Sequence, residues 1–395
     1  MKIMMPSGTI LKNSCKPIHG FEYNHPFDGH GLINTFQIRD GKMTYKGIRV
    51  KTEHYKMEKK YNKQIFRGLN TNVQHNPLFI ENFSNISVFH DTTRNEIQSL
   101  SEGGIPYLID INDMKTVGRK FKHIHPFIPY FPITAHPKMD HGKVVNASGL
   151  LFLMTLFDDD GILFTEKFRD GKKYYFHDFS ITDSHYIIYL NNIDVDIPRM
   201  YINDGTVLDG VSFNTNNKIL MVDKATKKRT YIDIPPTFDR PVLHIAHVHQ
   251  KSSEDLDIYM SLIPSSFSIS NIQSVYDFEG CFLHKFSIIN SKIDSITQLS
   301  NIHCEMPVQN NGNIFLINKN TLVKCDTTTD KMTTIEFGDE VLEEPVLYDN
   351  TLFVITHGEN CTNIYTYLAS SLTHIHTEKF PFNVSYGFHG TFVPF

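Results

Sequence analysis

The dense alternation of short β-prone runs with turn residues constrains the fold of this chain more than any other feature. Runs rich in Ile, Val, Phe, Tyr and Thr recur through the 395 residues, and Asp, Asn and Gly separate them. Residues 174–176, 185–190, 218–222 and 352–355 are examples. Such runs are typical of strands, whereas no long stretch keeps the period of an amphipathic helix. The sequence therefore predicts an all-β fold.

Pairs of turn residues predict how the strands are joined. Asp40-Gly41, Asp160-Gly161, Asp170-Gly171 and Asn311-Gly312 are pairs that favour two-residue hairpin loops. Many short strands joined in this way fit a sandwich, a barrel or a propeller, and the pattern alone does not choose among them. Without a clean repeat, linker or low-complexity segment, the sequence predicts a single domain over residues 1–395.

Composition limits the partners and the compartment. A hydrophobic content of 40% with 21% charged residues is ordinary for a globular protein, and a net charge of −5 argues against nucleic acid as a partner. The basic run at 56–63 is interrupted by an acid and predicts a solvated edge. No protein partner is evident from the sequence.

The five cysteines are scattered and include no C-x-x-C pair, which favours free thiols in a reducing compartment. The first residues lack the apolar stretch of a signal peptide, and the longest apolar run, 150–157, is far below the roughly 20 residues that span a bilayer. We therefore expect a cytoplasmic protein.

Four of the 21 histidines stand in separate strand-like settings, namely His136, His177, His244 and His389. A neutral imidazole is the commonest protein ligand of divalent transition metals, although a histidine beside apolar residues is more often structural. Local groups such as 244-247-249 and 123-125 are therefore weak indications of a metal on their own.

The residues that flank the four histidines carry more information. The runs are TAHPK around His136, HDFSIT from His177, VLHIAH around His244 and YGFHGTFVP around His389. They resemble the metal-ligand motifs F-T-A-H-P-K, H-D-F-A-I-T-E, H-x-x-N-A-[YW]-E and Y-G-F-H-G-x-F-V-P of the carotenoid cleavage oxygenases. The third match is the weakest, since His247 replaces the motif's Asn and Gln250 its Glu. His247 is therefore the alternative to His244.

Other segments resemble the same family in the same order. Residues 26–33 resemble F-D-G-D-G-M-[IV], 100–107 resemble L-W-E-G-G-x-P-Y, 304–307 resemble the E-F-P segment, and 342–346 resemble S-E-P-V-F. Residues 5–13 resemble L-P-x-G-T-x-L-R-N, a segment that in the family follows several dozen residues. The domain is therefore expected to be short at its N-terminus and to close its ring differently.

The resemblance implies a seven-bladed β-propeller with iron on its central axis and loops that cap the active site. It implies Fe2+ held by His136, His177, His244 and His389. It further implies that Glu102, Glu305 and Glu344 accept hydrogen bonds from the outer ring nitrogens of these ligands, with Glu343 as the competitor of Glu344. The wide spacing of the histidines suits the inner strands of different blades.

The activity implied is an iron(II)-dependent dioxygenase that cleaves a C=C bond of a carotenoid or apocarotenoid with O2. Two carbonyl products form, and retinal is a candidate among them. Stilbene cleavage is the alternative, disfavoured because Ser101 and Phe89 stand where those enzymes have Lys and Tyr. A retinoid isomerohydrolase-like activity and a non-catalytic propeller that binds a lipid or a partner are further alternatives. No dinucleotide-binding or nucleophile-elbow motif occurs.

An apolar substrate calls for an apolar entry. Residues 125–132 are rich in proline and aromatic residues and directly precede the His136 motif. We expect peripheral membrane contact through Phe127, Ile128 and Phe131. An ordinary packed loop explains the same residues equally well.

Overall fold

The structure is a computed structural model that describes residues 5–73, 82–121, 133–201, 206–252, 254–264, 279–310 and 312–395. These residues form two compact units. One contains 5–73, 82–121 and the described residues of 306–395, and the other contains those of 133–305. The single domain over 1–395 stays a prediction.

The first part of the chain supplies two antiparallel sheets and one helix of the first unit. The first sheet contains β1 (Gly8–Lys16), β2 (His30–Arg39) and β3 (Lys42–Arg49). Helix α1 (Glu53–Tyr61) follows, and then a sheet of β4 (Ser87–Asp91), β5 (Glu96–Leu100), β6 (Tyr107–Asp110) and β7 (Lys115–Arg119).

The second unit contains three sheets. The first consists of β8 (Lys138–Asp140), β9 (Lys143–Leu150), β10 (Leu153–Asp158) and β11 (Gly161–Lys167). The second consists of β12 (Lys173–Tyr175), β13 (Phe179–Ile181), β14 (His185–Val195), β15 (Val211–Phe213), β16 (Lys218–Asp223) and β17 (Arg229–Asp233), and short helix α2 (Ile197–Tyr201) lies among them. The third consists of β18 (Ile245–Gln250), β19 (Leu256–Leu262), β20 (Phe282–Ile289) and β21 (Lys292–Gln298). Two 3-10 turns, Leu208–Gly210 and Pro236–Phe238, join these strands.

The last part of the chain completes the first unit. One sheet contains β22 (Glu305–Asn310), β23 (Asn313–Asn318), β24 (Thr321–Asp326) and β25 (Lys331–Glu336). The next contains β26 (Val341–Leu342), β27 (Val346–Tyr348), β28 (Thr351–His357), β29 (Thr362–Leu368) and β30 (Thr373–Phe380). The final strand, β31 (Gly387–Pro394), pairs with β1, so that the first sheet has the order β3-β2-β1-β31. Across the described residues this makes seven sheets, the number of blades that the sequence predicts.

Burial changes from one edge of a sheet to the other. In β1 the first seven residues are all buried, whereas β3 in the same sheet alternates with exposed residues. In the second unit, β19 is wholly buried and β21 is mostly open to solvent. The inner strands are therefore covered on both faces, including the polar residues of β1, whereas the outer strands expose many of their side chains.

Neighbouring residues of a strand enter different cores, since successive side chains point to opposite faces. Ile10 packs with Phe36, Phe353 and Phe392, while Leu11 belongs to a separate cluster with Ile33 and Val88. In the second unit the same holds for Ile187 and Ile188 of β14. Each such strand is thus held between two neighbouring sheets.

Of the predicted hairpin loops, one is confirmed at Asp40-Gly41 and one is wrong at Asp170-Gly171. Asp40 (φ 50°) and Gly41 (φ 71°) form the loop between β2 and β3, with the positive φ values that a type I′ turn needs. The Asp170-Gly171 prediction is wrong, because this pair connects β11 to β12 and these strands lie in different sheets. Asn311 lies outside the described residues. Asn290 and Ser291 form a hairpin loop with positive φ that the sequence analysis did not single out.

The basic run at 56–63 contributes the exposed side of α1. The Thr52 hydroxyl caps this helix by accepting the Tyr55 N–H, and Asn62 ends it in a left-handed conformation. Glu58 is fully buried within it and accepts the Ile65 and Phe66 N–H groups. Among the described residues no helix has the length and apolar character that crossing a bilayer requires.

Replacing Ile10 by Ala should test the packing of β1 between two sheets. Ile10 is 0% exposed, and truncation of such a residue costs about 2–5 kcal/mol of unfolding free energy because it leaves a cavity. Urea denaturation measures this. The matched control is Ile162→Ala in β11, which is 72% exposed and should change stability by less than about 0.5 kcal/mol. Equal stability of the two variants would contradict the prediction.

Candidate metal centre

Three of the four predicted histidines lie in the second unit, each beside an edge strand of a different sheet. His136 precedes β8, His177 lies between β12 and β13, and His244 directly precedes β18. His244 is buried, and the other two are partly buried. Short edge strands thus present each ring from a rigid sheet, and the three residues are 41 and 67 positions apart in the chain.

The three rings face one another. The Nε2 atoms of His136 and His177 lie 2.9 Å apart. The ring centroids of His136 and His177 are 4.5 Å apart, and that of His244 lies 5.0 Å and 4.9 Å from them. Two imidazole nitrogens at right angles on one metal, each about 2.1 Å from it, would be separated by about 3 Å. The spacing of His136 and His177 fits a shared metal ion.

Asp178 ties the segments of these histidines together. It is 4% exposed, and its Oδ1 accepts from Lys138 Nζ at 2.8 Å. Its Oδ2 accepts from the Ile245 N–H at 3.3 Å, beside His244. Sequence reasoning missed this role, although Asp178 and Lys138 both belong to motifs quoted above. A carboxylate next to a ligand and a lysine two residues after another ligand are the signal that could have pointed to it.

The outer nitrogen of His244 is held by a buried carboxylate. The Nδ1–H of His244 donates to Glu305 Oε2 at 2.7 Å, and Glu305 is 0% exposed at the start of β22. A carboxylate can only accept here, so the proton resides on Nδ1 and the lone pair on Nε2. This is the tautomer that a metal ligand needs.

The first unit contains the corresponding pair of His389 and Glu344. His389 lies in β31, and its Nδ1–H donates to Glu344 Oε1 at 2.8 Å. The competitor Glu343 does something else: its Oε1 accepts from Gly387 N–H and lies 2.7 Å from His357 Nε2. The contacts therefore favour Glu344 over Glu343 for the role beside His389.

Within the second unit, the potential ligand atoms of His136, His177 and His244 lie within 4.8 Å of one another. His247 is not in this group; its ring lies beside Tyr259, with centroids 5.9 Å apart. Burial, together with the nearby His249, lowers the pKa of His247. Glu102 is partly buried in the turn after β5, and its role beside a ligand stays a prediction.

Two further residues adjoin the cluster. The Tyr175 hydroxyl lies 3.2 Å from His177 Nδ1, a contact that sequence reasoning did not foresee. Burial raises the pKa of the Cys304 thiol to about 11. The neighbour of Glu305 is therefore a protonated thiol at neutral pH, whereas a metal ligand would be a thiolate.

Residues 5–394 match the protein family described as retinal pigment epithelial membrane protein. The chain belongs to this family. The match covers nearly the whole sequence, including all four histidines and the three glutamates. The resemblance to the carotenoid cleavage oxygenases is thereby confirmed.

Three curated relatives match the sequence of this chain over part of their length. The chain is 28% identical over 210 residues to the apocarotenoid-15,15'-oxygenase of Synechocystis sp., covering 47% of this chain and 42% of that protein. It is 28% identical over 142 residues to resveratrol cleavage oxygenase 1 of Botryotinia fuckeliana, covering 34% and 24%. It is 30% identical over 149 residues to carotenoid 9,10(9',10')-cleavage dioxygenase 1 of Pisum sativum, covering 31% and 25%. These matches span less than half of each relative.

Solved structures show the fold. A point mutant of the Synechocystis apocarotenoid oxygenase superposes with a TM-score of 0.82 at 18% identity, covering 99% of this chain and 94% of that one. A cobalt-substituted form of the same oxygenase gives 0.80 at 18% identity, covering 98% and 93%. Together with the seven sheets, this confirms the predicted seven-bladed β-propeller.

Replacing Glu102, Glu305 or Glu344 by Gln should leave the fold intact and weaken metal affinity by about 10–100-fold, because an amide cannot act as an anionic acceptor for the ligand N–H. Titration of the metal-free variants with Fe2+ or Co2+ measures the affinity, and thermal unfolding checks the fold.

Glu340→Gln is the matched control for these variants. Its carboxylate accepts from Asn363 Nδ2 at 2.8 Å and from Tyr365 at 3.2 Å, without a histidine of the cluster. The control should bind metal normally. Normal affinity in all three test variants would disprove the assignment of the glutamates.

Proposed function

We propose that this protein is an iron(II)-dependent dioxygenase that cleaves a C=C bond of a carotenoid or apocarotenoid with O2 to give two carbonyl products. The observation that carries the proposal is the group of three histidine ligand atoms of the second unit, those of His136, His177 and His244, within 4.8 Å of one another. We propose His389 of the first unit as the fourth ligand. The proposal is supported by the match of residues 5–394 to the family described as retinal pigment epithelial membrane protein.

The donor set fits ferrous iron. Four imidazoles are neutral ligands, so an Fe2+ ion held by them would keep its full charge. Glu305 and Glu344 accept hydrogen bonds from the Nδ1–H groups of His244 and His389. Each Nε2 atom therefore keeps its lone pair for a metal ion. Asp178 keeps Lys138 and Ile245, and with them two ligand segments, in fixed positions. When bound, the iron would supply the activation of dioxygen that no side chain can provide.

The substrate class rests on the named relatives. Two of the curated relatives are an apocarotenoid oxygenase and a carotenoid cleavage dioxygenase. We propose a carotenoid or apocarotenoid as substrate, with an aldehyde such as retinal among the products.

A stilbene is the second candidate, since another relative is a resveratrol cleavage oxygenase. Stilbene-cleaving enzymes would require a Lys and a Tyr where this chain has Ser101 and Phe89. Ser101 is buried, and its hydroxyl donates to Asn82 Oδ1 at 3.1 Å. A serine engaged in this way cannot supply the charge of an ammonium group, which favours the polyene.

Iron-loaded protein incubated with an apocarotenal, β-carotene and resveratrol should give aldehyde products from a polyene but none from resveratrol. Chromatography with mass detection identifies the products. His244→Ala should lose both iron and turnover, because it removes one of four ligands. The matched control His247→Ala, three residues along the same segment, should keep both.

Each other outcome has a definite meaning. Cleavage of resveratrol alone would replace the polyene by a stilbene as substrate. Isomerisation or ester cleavage of a retinoid without C=C cleavage would indicate an isomerohydrolase-like activity. Iron binding without turnover of any of these compounds would indicate a non-catalytic propeller. Loss of iron in His247→Ala but not in His244→Ala would exchange the two histidines.

We further propose that the protein is cytoplasmic and contacts a membrane surface through Phe127, Ile128 and Phe131, which lie outside the described residues. A carotenoid has almost no free aqueous concentration, so the enzyme has to meet it at an apolar surface. Each large apolar side chain buried in lipid contributes roughly 1.5–3 kcal/mol, so three of them suffice for reversible attachment.

Replacing Phe127, Ile128 and Phe131 together by Ser should lower co-sedimentation with liposomes and leave turnover of detergent-dispersed substrate nearly unchanged. Ile162→Ser is the control, since this side chain is 72% exposed in β11 and lies outside the segment. Undiminished sedimentation of the triple variant would make the segment an ordinary loop and place the membrane contact elsewhere. Unfolding of the variant would assign the segment to the packed interior.

A further inference from the structure

A buried lysine lies behind the His389–Glu344 pair. Lys12 of β1 is 0% exposed. Its Nζ donates to the backbone carbonyl of Glu344 at 2.7 Å and to that of Phe388. The first carbonyl belongs to the residue that holds His389, and the second to the residue directly before His389. The Lys12 ammonium group therefore connects the backbone at Glu344 to the backbone directly before His389.

Two buried carboxylates surround the same ammonium group. Lys12 Nζ lies 3.8 Å from Glu344 Oε2 and 4.0 Å from Glu343 Oε2. Burying a carboxylate is costly unless an opposite charge or hydrogen bonds compensate it. Lys12 supplies that charge on the side of Glu344 that faces away from His389 Nδ1. The other oxygen of this carboxylate, Oε1, accepts the hydrogen bond from His389 Nδ1.

Strand β31 leaves space for the lysine side chain. Lys12 pairs with Gly390, and the register shifts before Ser14 pairs with Gly387. A Cβ at Gly390 would lie 2.4 Å from Lys12 Cδ, and one at Gly387 would lie 2.9 Å from Lys12 Cβ. The two glycines on either side of His389 therefore admit the alkyl chain of Lys12 to the carbonyls beyond.

We propose that Lys12 is a positioning residue of the metal centre, which fixes Glu344 and the backbone of β31 so that His389 presents Nε2 to the metal. This rests on the proposed function, because it assumes that His389 is a ligand. In the motif L-P-x-G-T-x-L-R-N, which residues 5–13 resemble, Arg stands at the position of Lys12. A guanidinium keeps the charge and the donors that the role requires.

Lys324 provides a matched lysine without this role. It is also buried in the first unit, and its Nζ donates to two consecutive backbone carbonyls, those of Ala369 and Ser370. Neither carbonyl belongs to the segments of the histidine cluster. Removing the Lys324 ammonium should therefore affect stability alone.

The test compares Lys12→Met, Lys12→Gln, Lys12→Arg and Lys324→Met as metal-free full-length proteins titrated with Co2+. Cobalt serves as the probe because its visible absorption reports the ligand geometry, and a cobalt-substituted relative has been crystallised. Thermal unfolding is measured on the same samples. We expect Lys12→Met and Lys12→Gln to lower Co2+ affinity about 10–100-fold and to change the absorption spectrum. Lys12→Arg should restore affinity and spectrum, and Lys324→Met should lower only the unfolding temperature.

The outcomes separate this proposal from the one it rests on. A parent protein that does not bind Co2+ would refute the metal centre itself. A folded Lys12→Met or Lys12→Gln variant with parental affinity and spectrum would refute the role of Lys12 alone. If both fail to fold while Lys12→Arg and Lys324→Met fold, Lys12 is a folding residue and the positioning role is likewise refuted.

Discussion

The antiparallel pairing of β1 with β31 is the interaction on which the first unit depends. It joins residues 8–14 to residues 387–394, at opposite ends of the chain, and completes the first sheet. The same pairing brings Lys12 alongside His389 and lets Ile10 pack against Phe392. The pairing of β1 with β31 therefore both completes the sheet and places the candidate ligand His389. Changes in β1 are therefore expected to act on the histidine even though β1 contains no ligand.

Charge compensation governs the surroundings of the histidines. Glu305 and Glu344 are both buried beside Nδ1 atoms, where an unpaired carboxylate would be strongly destabilising. Each carboxylate is stabilised by the ring N–H that it orients. The same hydrogen bond therefore compensates the buried charge and fixes the tautomer of the histidine. Asp178 is buried under the same constraint and meets it with Lys138 and two backbone N–H groups. The carboxylates of Glu305 and Glu344 therefore orient the rings of His244 and His389, and Asp178 holds the backbone beside His244.

Local patterns explain which predictions succeeded. Runs rich in β-branched and aromatic residues indicated strands such as those at 185–190 and 352–355, and both lie within observed strands. Asp40-Gly41 indicated its hairpin, because the turn type depends on two adjacent residues. Asp170-Gly171 failed because its neighbours pair with strands from other parts of the chain. A two-residue signal carries no information about such partners.

The sequence by itself determined the β character, the candidate ligands and, through ordered motifs, the family and its seven-bladed fold. These properties depend on short segments of sequence, and each segment can be recognised without knowing which residues lie near it in space. Only the tertiary structure distinguished Glu344 from Glu343, placed His244 rather than His247 in the cluster, and revealed Asp178, Tyr175 and Lys12. Each of these depends on a contact between residues whose side-chain direction is set by strand register. A shift of one residue in β18 or β31 would turn the opposite side chains inward, and register is decided by pairing across the sheet.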